Sequence, residues 1–204
     1  MPTSKQSPEF SRAKEWLLRQ SPQSILQALA TERTRRATEA ATRVLAAKGE
    51  VSLVNFVRLA WHVLHPNTPY VHGFHIDAIC QHLEAVTDGR LNRLRLNIPP
   101  GSSKSIVVSV LWNAWEWGPK NMPHLQYIST SYREDYVKRD TRRTRDLITS
   151  EWYQRFWGKR FALTREAALS FANDKGGWRE GIPWGSLTGG RADRLLCDDP
   201  HSTE

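Results

Sequence analysis

Between residues 90 and 117 the hydrophobic period changes from two to nearly four, and that change constrains the fold more than any other stretch. Leu94, Leu96 and Ile98 alternate with Arg93, Arg95 and Asn97, the spacing of a strand with one face turned inward. Pro99, Pro100 and a run of small residues follow, and then Ile106, Val107, Val110, Ala114 and Trp117 recur at helical spacing. Further on, Leu125 to Thr130 predicts a strand, Glu134 to Thr149 a helix and Ala168 to Ala172 a short strand. Arg194 to Cys197 predicts a last apolar strand that runs into two aspartates. Strands alternating with helices predict an α/β domain built on a parallel sheet with both faces covered.

Upstream the pattern is purely helical. Residues 1–20 are polar, carry Pro2 and Pro8, and are expected to form a flexible N-terminal arm. Ser21-Pro22 reads as a helix cap followed by a first-turn proline, and Gly49 as the stop. Leu53, Phe56, Val57, Ala60, Trp61 and Leu64 predict a second helix ended by Pro66, and Ile76, Ile79, Cys80, Leu83 and Val86 a third that stops at Gly89. The expected organisation is an arm, a helical lead-in over 21–89, and an α/β core over 90–204.

No apolar run reaches the length of a membrane helix, and the N-terminus has no apolar signal core, so a soluble protein without a membrane partner is expected. Cys80 and Cys197 are the only cysteines, which gives no disulfide framework and fits a reducing cytosol. The net charge of +8 favours a polyanionic partner, nucleic acid first, although charge alone leaves a merely basic protein as an equal reading.

Asn97 to Ser105 lies where a phosphate-binding loop belongs, between a predicted strand and a predicted helix. Small residues let backbone N–H groups approach a polyphosphate at the positive end of the new helix. Lys104 there reaches the outer phosphates, and the Ser105 hydroxyl can ligate Mg²⁺. Ile98 and Ser103 stand where the strict Gly-x-x-x-x-Gly-Lys-Ser pattern has glycines, so a plain turn with a solvated lysine is the competing reading. Leu195-Leu196-Cys197-Asp198-Asp199 delivers carboxylates at the C-terminal end of a strand, the usual ligand position in open α/β sheets. The competing reading there is an Asp-Asp-Pro turn leaving a strand. The two features in this chain order favour an ATPase.

From Arg95 to Glu204 the chain resembles the ATPase core of tailed-phage terminase large subunits. The resemblance is carried by Pro99 to Ser105, Val107 to Trp112, Ala114 to Gly118, Ser131-Tyr132, Arg139-Asp140, Arg143, Asp146 to Ile148 and Ser150 to Gln154. It continues through Phe171 to Asp174, Gly177 to Arg179, Gly185 to Gly189 and Asp198 to His201. The resemblance implies a P-loop NTPase fold of the additional-strand type that couples Mg-ATP hydrolysis to translocation of double-stranded DNA into a procapsid. It implies a portal protein and a small terminase subunit as partners, assembly into a homo-oligomeric ring, and the cytoplasm of a bacterial host. The sheet is expected to be incomplete and the nuclease domain of that family absent.

The resemblance also assigns roles. Lys104 is expected at the β- and γ-phosphates, and Pro100, Gly101, Ser102, Ser103 and Ser105 around the nucleotide. Ser105 and Asp198 are expected to hold Mg²⁺. Asp199 is the expected catalytic base, where many relatives have glutamate, with Glu204 in reserve. The loop lacks the arginine that many relatives carry. Arg139 and Arg143, from a helix that also bears Lys138, Arg142 and Arg145, are the candidates to supply it, against a solvated basic face. Tyr70 and His75 are candidate adenine contacts, and Cys197 is expected to be small buried packing. The alternatives are a helicase-like DNA translocase and a non-catalytic remnant that binds DNA or portal.

Overall fold

The computed structural model describes residues 21–187 and 189–199, without the Pro22 side chain. The expected arm, Thr188 and the segment 200–204 with the reserve base Glu204 lie outside the described residues. The chain divides into two compact units, Met1–Val44 and Leu45–Glu204.

Helix α1, Pro22–Val51, starts where expected, with Ser21 Oγ accepting from the Ser24 N–H at 3.1 Å. Within the first unit it carries Arg35 and Arg36 beside Glu32 and Glu39 at helical neighbour spacing. It runs two residues beyond Gly49.

In the second unit, α2 is Leu53–Leu64 and α3 is Phe74–Thr87. Leu53, Phe56, Val57 and Ala60 of α2 and Ile76, Ile79, Cys80 and Leu83 of α3 are buried in one apolar core. Lys104 and Ser105 begin a helical run that widens into π turns over Ile106–Leu111 and closes as α4, Trp112–Trp117. The long α5, Glu134–Thr149, and the short α6, Glu151–Trp157, follow strand β1, Tyr127–Ser131. Ser150 separates the two helices and caps the second through the Tyr153 N–H.

The other strands are β2 Leu163–Glu166, β3 Ser170–Asn173, β4 Trp178–Gly181 and β5 Arg194–Asp198. The sheet order is β2-β3-β4-β1-β5. It is mixed, which corrects the expectation of a parallel sheet: β1 runs parallel to β4 and β5, whereas β3 is antiparallel to β2 and β4. The connections 167–169 and 174–177 are too short for a parallel crossover, so adjacent strands there must reverse.

A second correction concerns Leu94 to Ile98. This segment is not a strand, and residues 92–99 make no backbone–backbone hydrogen bond among the described residues. Its alternation is real as packing, because Leu94, Leu96 and Ile98 lean on the core. A strand needs a neighbour as well as a pattern, and β5, the sheet edge on that side, does not pair with it. Nor is β5 covered on both faces: Leu196 is buried, while Leu195 is 60% exposed and Cys197 is exposed as well.

One polar cluster pins the layers together. The carboxylate of fully buried Glu116 on α4 accepts from Arg194 at 2.8 Å, from Thr87 at 2.7 Å and from the Tyr127 hydroxyl. Trp112 Nε1 donates to the same Thr87 hydroxyl at 2.9 Å. Helices α3 and α4 and strands β1 and β5 therefore share a single buried charge, and burial with the adjacent Glu116 pushes the Tyr127 phenol well above its ordinary value.

Candidate functional site

The stretch Pro99 to Ser105 leaves the core at half-buried Ile98 and turns sharply before the helical run begins at Lys104. Gly101 has φ of 82° and Ser103 has φ of 59°, both in the left-handed region. Ser103 is one of the positions where the strict loop pattern has glycine, and the backbone there adopts the conformation glycine favours. Such alternation of handedness turns successive N–H groups into a concave anion cradle. The Ser102 hydroxyl is buried without a hydrogen-bond partner among the described residues.

Strand β5 brings the two aspartates to this loop. Lys104 Nζ lies 3.0 Å from Asp198 Oδ1 and 3.1 Å from Asp199 Oδ1. Asp198 is mostly buried at the strand end, whereas the Asp199 side chain is 71% exposed. Asp199 has φ of 45°, and its carbonyl accepts from the Tyr132 N–H at 3.1 Å, which ties the β5 exit to the β1 exit. Burial opposes the Lys104 charge, and the two carboxylates more than offset it, so the ammonium is held above its usual range.

An open cleft of about 1410 Å³ is lined by the whole loop from Pro100 to Ser105, by Asp199, and by the first turns of α5. Lys104 and Asp199 also face a neighbouring groove that contains Asp198. The loop residues Pro100 to Ser105, Arg139, Arg143, Asp198 and Asp199 thus line two hollows that share Lys104 and Asp199.

The basic residues of α5 separate into three groups. Arg145 donates to the Ala167 carbonyl at 2.7 Å and anchors the β2–β3 turn. Lys138 pairs with Glu134, and Arg142 lies 3.9 Å from Asp146, both on the surface. Arg139 and Arg143 line the cleft with the loop. Arg143 forms no ion pair among the described residues, whereas Arg139 is held side-on by Asp140, through Nε at 2.8 Å and Nη2 at 3.1 Å. The Arg139 guanidinium also lies 5.0 Å from the Tyr136 ring.

Tyr132 and Tyr136 line the cleft too, and sequence reasoning passed over them. The signal for Tyr136 was its three-residue spacing from Arg133 and Arg139, which a helix brings into contact. Conversely, Tyr70 and His75 do not line the cleft. Tyr70 packs edge-on against Trp61 and hydrogen-bonds His72. Cys197 is exposed, which overturns its reading as buried packing.

These donors suit a nucleotide with its cation. A hydroxyl and a carboxylate are oxygen ligands of the kind Mg²⁺ takes, and Mg²⁺ needs only one or two protein ligands when phosphates complete its shell. Among the described residues no group of three His, Cys, Asp or Glu side chains converges. No protein-family model, curated protein or solved structure matches this chain.

Proposed function

We propose that the chain is an Mg-ATP hydrolase of the large-terminase type, whose hydrolysis drives movement of duplex DNA into a procapsid. The observation that supports this reading best is Lys104 Nζ within 3.1 Å of carboxylates on two consecutive residues at the end of β5, beside a left-handed small-residue loop. A lysine so placed marks the spot where negative charge is to be bound, and its carboxylate neighbours mark the spot for a cation.

In this reading the backbone N–H groups of Gly101 to Ser103 and the start of the helical run cradle the β- and γ-phosphates. Lys104 exchanges its carboxylate partners for phosphate oxygens and stabilises the charge that develops there. Ser105 and Asp198 hold Mg²⁺, which when bound neutralises the phosphate oxygens and orients them for in-line attack. Asp199, exposed beside Lys104, orients the attacking water and accepts its proton. Arg139 and Arg143 come from the same chain as the loop. The P-loop topology, the ring assembly, and the portal and small-subunit partners belong to this proposal and rest on the resemblance.

Lys104→Ala is expected to lower DNA-stimulated ATP hydrolysis by about two to three orders of magnitude, the loss typical of a group aimed at developing charge. Unchanged hydrolysis would remove Lys104 from the site. DNA binding without any ATP binding in titration calorimetry would point instead to a non-catalytic DNA-binding protein.

A further inference from the structure

Asp140 is paired with one guanidinium and lies within electrostatic reach of a second, to which it makes no hydrogen bond or ion pair among the described residues. On the cleft side, both of its oxygens are engaged by Arg139. On the core side is Arg179 of β4, whose side chain is wholly buried. The register Tyr127↔Arg179 places Arg179 on the sheet face of Tyr127 and Ser129, and α5 packs on that face, since a Cβ on Gly181, two residues along β4, would meet Val137 and Thr141. Its Nη2 donates to Ser129 Oγ at 3.3 Å, while its Nε and Nη1 have no partner among the described residues. Burial pushes the guanidinium down to about 10, and the groups that oppose this shift are Asp140 first and Tyr127 second.

A buried guanidinium with two unused donors is costly, because each donor has lost water without gaining an acceptor. Breaking the Arg139–Asp140 pair would ordinarily be costly too, since it strands a buried carboxylate. The two costs cancel if Asp140 changes partners. When Arg139 turns outward, Asp140 can accept from the free donors of Arg179, and both defects are repaired together.

Resting on the reading of the cleft as a nucleotide site, we propose that Asp140 and Arg179 form a charge-exchange latch. Asp140 holds Arg139 off the phosphates, and Arg179 takes over Asp140 when Arg139 turns to the polyphosphate at Lys104. In this arrangement Arg139 is the group that touches substrate, and Asp140 and Arg179 are positioning residues. The latch makes engagement of Arg139 depend on the charge in the cleft, in a single chain.

The test is titration of the full chain with Mg-ATP, alongside thermal melts that establish folding. Arg139→Ala is expected to weaken binding about tenfold, as removal of a charge-assisted hydrogen bond does. Asp140→Asn releases Arg139 and is expected to tighten binding about three- to tenfold, a gain that merely structural damage would not produce. Combining Asp140→Asn with Arg139→Ala abolishes the gain. If Asp140→Asn fails to fold, the ¹⁵N signal of the Arg139 Nε–H group, assigned through Arg139→Lys, is expected to shift on adding Mg-ATP to the unaltered chain. The latch is refuted if a folded Asp140→Asn variant binds no more tightly than the parent. It is equally refuted if Arg139→Ala leaves affinity unaltered, or if the Arg139 signal stays put. Absence of Mg-ATP binding by the unaltered chain would overturn the nucleotide reading itself and the latch with it. Binding that survives Lys104→Ala would overturn the site assignment alone.

Discussion

Gly177 shows how much a missing side chain can decide. A Cβ at this position would overlap the backbone carbonyl oxygen of Pro123 and crowd the Asn173 side-chain amide. Asn173 in turn donates to Pro123 O at 2.8 Å and accepts from the N–H groups of Lys175 and Gly177, so the turn between β3 and β4 closes directly on the approach to β1. Backbone cannot yield as a side chain can. Gly177→Ala is therefore expected to cost about 2 kcal/mol or more, at the upper part of the overpacking range, read as a lowered urea midpoint with unchanged slope. A variant with the parent midpoint would mean that the turn relaxes freely. The glycine stood in plain view in the sequence, but the tertiary approach that requires it did not.

At the level of elements, the legible parts were those in which local pattern and tertiary burial agree. Helices α2 and α3 follow their expected spans because their apolar residues recur at helical spacing and face one core, and α5 keeps its span although Asp140, Thr141 and Thr144 are among its buried residues. Strand β4 escaped notice because its inward positions are Arg179 and Gly181, neither of which reads as apolar, and β2 because three of its four residues are exposed. Residues 94–98 misled in the opposite sense: alternation records which side chains turn inward, not whether a neighbouring strand is there to pair. The candidate site was legible at Lys104, Asp198 and Asp199, which chain order and residue type mark out. The buried Arg179 on the sheet face beneath α5 was not, since only packing of α5 on β4 reveals it. Glu116 belongs at this scale because it joins four elements. Replacing it with leucine leaves Arg194 and the Tyr127 and Thr87 hydroxyls without their common acceptor, and is expected to cost about 3–5 kcal/mol. Glu116→Gln, which retains an acceptor, is expected to lose less. Equal losses from the two substitutions in chemical denaturation would show that volume and not charge matters there.

Across the whole molecule, charge and sheet geometry act together. A net charge of +8 draws a polyanion over long range. Arg139 and Arg143 face the same cleft as Lys104, so attraction and chemistry would converge on one opening. The described helices include none long and apolar enough to cross a membrane. On the other side of the loop, β5 is the edge of the sheet among the described residues, and the segment 92–97, exposed except at Leu94 and Leu96, runs past without pairing with it.

That open edge turns the two thiols into unlike reagents. Cys80 is buried on α3, and burial, aided by Glu84 and Asp77, pushes its thiol up to about 12. Cys197 is exposed on the open edge, one residue from Asp198, and burial with that carboxylate raises it more modestly. Alkylation proceeds through the thiolate, so its rate should climb with pH toward and beyond the ordinary thiol range. Iodoacetamide is expected to modify the folded chain once, at Cys197, as intact mass and peptide mapping would reveal. Two adducts before unfolding would contradict the burial of Cys80. A single adduct beside Asp198 supplies a natural attachment point for a dye, through which events at the neighbouring lysine can be watched without altering a residue.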